Sequence, residues 1–105
     1  MEVEGSGRKA TLWALVFGTS DIRRGEEVKV ALRMAGAGQL SLRATGPGAA
    51  TLGPDWGPEP HGSSNWHRPG DEWGTGWTFP TPGCWTIHAT RAQSGDGEVS
   101  FDVAA

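Results

Sequence analysis

Two segments of the chain alternate between hydrophobic and polar residues with a period of two. The first covers residues 26–34 and the second covers residues 40–45. This period is typical of a strand that buries one face, so both segments are predicted to be strands. The glycine-containing residues 35–39 between them predict a hairpin connection. The inward positions are Val28, Val30, Leu32 and Met34 in the first segment and Leu40, Leu42 and Ala44 in the second.

Four more segments have strand character, at residues 11–17, 71–79, 84–90 and 99–103. The first is apolar on both faces of an extended chain, with Leu12, Ala14 and Val16 on one and Trp13, Leu15 and Phe17 on the other. Residues 93–97 predict a hairpin between the last two strands. Short strands at this spacing, with no helical period anywhere in the sequence, predict an all-β protein, either an antiparallel sandwich or a small barrel.

A change of composition marks residues 46–70. All seven prolines lie between Pro47 and Pro82, and four of the six tryptophans lie in the same stretch. Proline and glycine exclude a helix or a central strand here. We therefore predict a long irregular loop, rich in Trp, Pro and Gly, that covers one end or edge of the strands.

Length and charge exclude several classes of protein. The chain has 105 residues, 36% of them hydrophobic, and a net charge of −3. This length predicts one domain at residues 10–105 after a polar leader at residues 1–9. No apolar run approaches the roughly 18 residues of a membrane span, and the acidic balance argues against nucleic acid as a partner. A single cysteine excludes an internal disulfide.

Metal binding and catalysis have few candidate residues. The residue types that could bind copper or zinc are His61, His67, Cys84 and His88. Cys84 and His88 would lie about 13 Å apart along one strand, too far to share a metal. A lone cysteine in a small domain is more often a small hydrophobe than a nucleophile. We predict no enzyme and no cofactor, and a small cupredoxin-like copper or zinc protein using these four residues stays an alternative.

An aromatic binding surface is the stronger hypothesis. Aromatic faces bounded by hydrogen-bonding side chains suit sugar rings, cationic groups or peptides. Within the Trp-rich stretch, Trp73 and Trp77 are predicted to pack in the core, whereas Trp56 and Trp66 are predicted to be presented to a ligand. The predicted ligand-binding residues are Trp56, His61, Asn65, Trp66, His67, Arg68, Asp71 and Glu72.

The segment at residues 79–88, FPTPGCWTIH, supports a particular sandwich. A Pro-Gly turn, one residue, an aromatic residue and then alternation resemble the entry to the penultimate strand of immunoglobulin-like and cupredoxin-like sandwiches. Trp85 would anchor the corner that a tyrosine usually occupies, since the chain has no tyrosine. Residues 13–103, and the PGCW stretch most specifically, resemble immunoglobulin-like domains of bacterial secreted and lipoprotein-type proteins, particularly those of high-GC Gram-positive bacteria. The resemblance implies a β-sandwich of about seven strands outside the cytoplasm, and it implies no reaction.

These observations lead to one functional hypothesis and one further alternative. We expect a non-catalytic binding module of the bacterial cell envelope that binds a glycan, a peptide or a protein partner through its Trp- and His-rich loop. If the natural protein is secreted, its signal sequence has been removed ahead of the polar leader. The further alternative is a surface protein that self-associates through exposed strand edges.

Overall fold

The computed structural model describes residues 1–18, 21–62 and 64–105. These residues form an all-β sandwich of two packed sheets, with one short 3₁₀ turn at Pro47–Ala49. The strands are β1 (Glu2–Glu4), β2 (Ser6–Arg8), β3 (Trp13–Val16), β4 (Ile22–Arg23), β5 (Glu27–Met34), β6 (Leu40–Thr45), β7 (Thr51–Leu52), β8 (Trp56–His61), β9 (Asp71–Thr78), β10 (Gly83–Arg91) and β11 (Gly95–Ala104).

Strand order identifies the kind of sandwich. The front sheet has the order β1-β3-β5-β9-β8, and the back sheet has the order β2-β11-β10-β6-β7, with β4 beside β11 in parallel. The path β3-β5-β9-β8 facing β11-β10-β6 is the strand order of an immunoglobulin-type fold. The predicted immunoglobulin-like sandwich is therefore confirmed. The described residues form eleven strands, however, so the predicted number of about seven was wrong.

The core lies between the sheets and contains most of the residues predicted to face inward, with Val28 and Leu42 partly buried against it. Trp77, Phe79 and Trp85 form an aromatic row, with ring centroids 6.1 Å apart in the first pair and 5.3 Å apart in the second. Trp73 is also buried, with 8% of its surface exposed. The prediction that Trp73 and Trp77 pack in the core is confirmed. Burial of such aromatic side chains supplies a large share of the hydrophobic stabilisation of a small domain.

Trp85 holds the corner between β9 and β10. The side chain is fully buried, and its indole Nε1–H donates a hydrogen bond to the carbonyl oxygen of Thr81 at 2.9 Å. This bond fixes the turn that leads into β10, as the tyrosine hydroxyl does in immunoglobulin corners. Gly46 allows the indole to fit, because a Cβ at that position would overlap the ring. The predicted role of Trp85 is confirmed.

Residues 2–8, which the sequence indicated as a polar leader, form an edge strand in each sheet. β1 pairs with β3 in the front sheet, and β2 pairs with β11 in the back sheet. Gly5 makes the crossing possible, since a Cβ there would overlap backbone oxygens of Glu98 and Leu12. These strands have no hydrophobic period to reveal them, because they are held mainly by backbone hydrogen bonds to existing edges.

Two predicted connections differ in the structure. Residues 35–39 do not form a hairpin, because β5 belongs to the front sheet and β6 to the back sheet. The long stretch at residues 46–70 contains β7 and β8, so it is less irregular than predicted. Pro58 and Pro60 are accepted in β8 because this strand lies at the edge of the front sheet, where one side of the backbone needs no partner. The predicted hairpin between β10 and β11 is confirmed.

Candidate functional site

A groove with a cavity volume of about 430 Å³ lies on the outer face of the front sheet. We call it the tryptophan groove. It is formed by the exposed faces of β3, β5, β9 and β8 together with the segment after β8. Its lining residues are Leu15, Phe17, Lys29, Ala31, Trp56, Glu59, Pro60, His61, Ser64, Asn65, Trp66, Glu72 and Gly74.

Strand register builds the floor of the groove. Leu15 of β3 lies opposite Ala31 of β5, and Ala31 lies opposite Gly74 of β9. Two of these three neighbouring positions therefore carry a methyl group or no side chain at all. Glycine in a strand interior often marks a place where a ligand or another chain approaches the backbone closely. Because Ala31 and Gly74 are small, the outer surface of the sheet is lower along this row than along the rows on either side of it.

Trp56 of β8 forms the wall on one side. Its indole lies over the backbone of Gly74 and Gly76, and a Cβ at position 76 would overlap the five-membered ring. The six-membered ring is the part of the indole nearest Gly74. The indole Nε1 lies over Gly76, 3.5 Å from the carboxylate of Glu27. Trp56 is half-buried and presents its apolar ring to the groove.

The opposite wall is polar and is organised by Glu72. The Glu72 carboxylate is buried, with 8% of the residue exposed. Its Oε1 accepts hydrogen bonds from the Ser64 hydroxyl at 2.6 Å and from Arg33 Nε at 3.2 Å. Its Oε2 lies 3.4 Å from Nδ1 of His61. Arg33 therefore compensates the charge of Glu72, and Glu72 orients His61 and Ser64 at the rim.

Trp66 closes one end of the groove and is held from the N-terminal strand. Its indole Nε1–H donates to Oε2 of Glu2 at 2.7 Å, and the same carboxylate accepts two hydrogen bonds from Arg68, each 2.7 Å long. The hydrogen bond from Arg68, followed by that from Trp66, lowers the pKa of the Glu2 carboxyl. The guanidinium of Arg33 lies 5.8 Å from the centroid of the Trp66 ring. The half-buried indole is thus fixed in orientation from two sides.

A lysine and a phenylalanine form the other end of the groove. The ammonium of Lys29 lies 5.0 Å from the centroid of the Phe17 ring, within the range of a cation–π contact. Phe17 is 46% exposed, which makes it one of the most exposed large hydrophobic side chains among the described residues. An exposed aromatic ring next to an apolar floor is a feature of binding surfaces.

The structure brings together five of the eight predicted binding residues. Those that line the tryptophan groove are Trp56, His61, Asn65, Trp66 and Glu72. Arg68 lies outside it, bound to Glu2 and stacked 4.4 Å from the Trp13 ring centroid. Asp71 is paired with Arg91 at 2.9 Å, and His67 is exposed and does not line the groove. Adjacent Asp71 and Glu72 point to different surroundings, as the alternation of a strand requires.

The four residues of the metal alternative are spread over the molecule. His61 is on the front sheet, whereas Cys84 and His88 are on the outer face of β10 in the back sheet. His88 contacts the Thr45 hydroxyl at 2.9 Å and the Glu98 carboxylate at 3.2 Å. In the part of the chain that the structure describes, no three His, Cys, Asp or Glu side chains are grouped to hold a metal ion.

The lining residues that sequence reasoning missed come mainly from regular strands. Lys29 and Ala31 are the outward positions of β5, and Leu15 is an outward position of β3. One signal was present in the sequence, because the segment at residues 11–17 is apolar on both faces. An apolar outer face on a strand near a sheet edge indicates that something other than water covers it.

The comparisons with known proteins add no relative. No protein-family model, no curated protein and no solved structure matches this chain. Among the described residues, no helix is long and apolar enough to cross a membrane.

Proposed function

We propose that this protein is a non-catalytic binding domain that holds its ligand in the tryptophan groove. The observation that carries the proposal is the combination of a low apolar floor, two half-buried tryptophans and a polar wall in one concavity. Ligand sites are typically concave, mostly apolar, and fitted with a few polar groups that fix orientation. A volume of about 430 Å³ lies within the usual range of such sites.

The arrangement of Ser64, Glu72 and His61 favours binding over catalysis. In a hydrolytic triad the imidazole lies between the hydroxyl and the carboxylate, so that it can take the hydroxyl proton. Here the carboxylate of Glu72 lies between the Ser64 hydroxyl and the His61 ring. The hydroxyl of Ser64 donates to Oε1 of Glu72, and it also accepts the backbone N–H of Trp66 at 3.2 Å. This set of bonds positions side chains, and it does not activate a nucleophile.

A place in the bacterial cell envelope is part of the same proposal. It rests on the resemblance of the PGCW stretch to domains of secreted and lipoprotein-type proteins, and on a fold that serves many cell-surface domains. Fractionation of the native host with an antibody against this chain tests it. Recovery in the envelope or the medium supports the location, and recovery in the cytoplasm alone contradicts it.

Fluorine NMR tests the binding proposal with the tryptophans as reporters. The chain has six tryptophans, so protein labelled with 5-fluorotryptophan gives six resonances that single Trp→Phe variants assign. Candidate glycans and peptides are titrated into the labelled protein. We expect the resonances of Trp56 and Trp66 to shift on binding, while those of the fully buried Trp77 and Trp85 stay in place. A ligand that shifts only resonances outside the groove contradicts the proposal.

A further inference from the structure

The charges that line the tryptophan groove balance one another. Lys29 is positive and Glu59 is negative, and the buried Glu72 is compensated by Arg33 at 3.1 Å. Neither an anionic nor a cationic ligand therefore finds a complementary field in the groove. The balance indicates a ligand without net charge.

The aromatic faces are arranged in a way that excludes a cationic head group. An aromatic cage binds a cation by surrounding it with ring faces. In the tryptophan groove two of these faces are already next to a positive charge, since Lys29 lies over Phe17 and Arg33 lies over Trp66. Trp56 remains as the wall that can accept an apolar surface by stacking. Its partner must then be neutral and must carry an apolar face.

The position of the floor argues against binding by addition of a peptide strand. An extended peptide is usually bound at a sheet edge, where unpaired backbone groups form the new ladder. The floor of the groove lies on β3, β5 and β9, which are paired on both sides. At Ala31 and Gly74 the backbone already pairs with both neighbouring strands. The one lining strand with a free edge is β8, and that edge faces away from β9 and the floor. A ligand that lies on the floor must therefore bond to side chains.

The polar side chains of the groove offer both donors and acceptors. Asn65 and His61 are exposed at the rim, and the side chain of His61 is 55% exposed even though Glu72 orients one of its nitrogens. Lys29 donates and Glu59 accepts at other points of the lining. Hydroxyl groups, which donate and accept at once, match this mixture.

We propose that the tryptophan groove binds a neutral carbohydrate chain. A pyranose ring has an apolar face of C–H groups and a rim of hydroxyls, and it carries no charge. The apolar face packs against Trp56 over the low floor at Ala31 and Gly74, and the hydroxyls bond to His61 and Asn65 at the polar rim. This assignment rests on the proposed binding function and names the class of its ligand.

The assignment is tested by probing two libraries side by side with the whole chain. One is an array of neutral oligosaccharides, and the other is an equally diverse peptide library. The array carries glucans, mannans, xylans, galactans and oligomers of N-acetylglucosamine. We expect binding to members of the glycan array, and titration calorimetry then gives the affinity for the strongest of them. Raising the salt from about 50 to 500 mM is expected to change this affinity less than about twofold, because screening has little effect on a neutral ligand.

Two glycine variants give a matched test of the floor. A Cβ at position 74 meets Trp56 at 3.5 Å, an ordinary contact, so Gly74→Ala adds one methyl group to the floor without displacing a neighbour. A Cβ at Gly53 meets nothing within 4 Å. We expect Gly74→Ala and Trp56→Ala each to weaken glycan binding about tenfold, and Gly53→Ala to leave it unchanged.

The possible outcomes distinguish failure of the carbohydrate assignment from failure of the proposed binding function. Peptide binding that depends on Trp56, without glycan binding, overturns the carbohydrate assignment and leaves the binding function intact. Glycan binding that Trp56→Ala and Gly74→Ala do not weaken overturns the assignment to this groove. If neither library shifts the fluorine resonances of Trp56 or Trp66, both proposals fail. Unfolding curves of the variants show whether any loss of binding comes from loss of the fold.

Discussion

The two outer faces of the sandwich differ in how their side chains are used. On the back sheet, polar residues at register positions pair across strands, as Thr86 does with Ser100 at 2.8 Å and His88 with Glu98 at 3.2 Å. On the front sheet, the corresponding middle row is Leu15, Ala31 and Gly74, which leaves a low apolar floor. The back face resembles an ordinary solvent face, while the front face is shaped to be covered.

Judged by cavity volume alone, the back sheet would be the stronger candidate for a binding site. The back sheet has a hollow of about 500 Å³ next to Arg8, Arg43 and His88, and the tryptophan groove has about 430 Å³. In the back hollow, Arg8 is already paired with Asp96 at 2.8 Å, and His88 is already paired with Glu98. The comparison teaches that exposed aromatic surface over an apolar floor, more than volume, distinguishes a binding face.

The largest difference between the faces is expected in the strength of their ion pairs. Glu72→Ala removes the carboxylate that compensates Arg33, which then keeps only carbonyl acceptors at Arg68 and Gly70, and the two side chains are 7% and 16% exposed. Loss of one member of a buried pair costs about 3 kcal/mol of the free energy of unfolding. Glu98→Ala, whose carboxylate is 52% exposed on the back face, is the matched control and should cost less than about 1 kcal/mol. Urea unfolding measures both, and equal losses would contradict the comparison.

A smaller effect is expected from a methyl group placed under Trp56. Gly76→Ala puts a Cβ where the indole lies, so the indole must move away from β9. We expect a loss of about 1 to 2 kcal/mol in the free energy of unfolding, together with a shift of the Trp56 indole N–H resonance. Gly53→Ala serves as the control, since its methyl group meets open space. An unchanged indole resonance would show that Trp56 does not lie over the glycines.

Acid is expected to open one exposed ion pair on each face. The hydrogen bond from Arg68 lowers the pKa of Glu2 on the front face, and that from Arg8 lowers the pKa of Asp96 on the back face. A carboxyl group with a lowered pKa in the folded state contributes stability at pH values above its unfolded pKa and loses that contribution as the pH falls through the folded pKa. Each pair should therefore open only below its ordinary pKa of 4.5 for Glu2 and 3.8 for Asp96.

Indole N–H spectra recorded during acid titration distinguish these two openings. Protonation of Glu2 should move the Trp66 indole resonance, because the indole donates to that carboxylate. Protonation of Asp96 should move no tryptophan resonance. A Trp66 resonance that titrates at or above pH 4.5 would contradict the lowered pKa of Glu2. In the variant Glu2→Gln, the Trp66 resonance should no longer follow this titration.

The smallest effect is expected from a neutral pair on the back face. Thr86→Ala removes one hydroxyl of the Thr86–Ser100 hydrogen bond, where both residues can still reach water. A cross-strand pair of this kind contributes about 0.2 to 1 kcal/mol. Thermal unfolding should show a small decrease in melting temperature, and glycan binding on the front face should be unchanged. A change in binding would mean that the two faces are coupled.

The sequence was sufficient where side chains alone determine the structure. Alternation predicted β5 and β6, and the PGCW stretch predicted the corner at Trp85. The sequence was insufficient where backbone pairing between strands determines the structure. This applies to β1 and β2, whose residues are mostly polar and lie at sheet edges. The prolines of β8 concealed a strand, because edge strands accept residues that central strands reject.

The site was predicted in part for the same reason. Trp56, His61 and Trp66 were predicted because four tryptophans close together in a Pro- and Gly-rich stretch are more than local packing is expected to need. The floor was missed because it depends on register, which places Ala31 opposite Gly74 only after the sheet has formed. A residue as small as glycine or alanine carries no chemical signal of its own in a single sequence.

The division of the strands between the sheets has a consequence for the order of events during synthesis. All strands of the front sheet lie within residues 2–78, whereas the back sheet needs β10 and β11 at residues 83–104. A chain emerges from the ribosome with its N-terminus first. The front sheet is thus complete in sequence before β10, which pairs with both β11 and β6 in the back sheet and carries Trp85, has emerged. Residues 83–104 do not line the groove. The sandwich that supports the groove is nevertheless complete only after these residues have been synthesised.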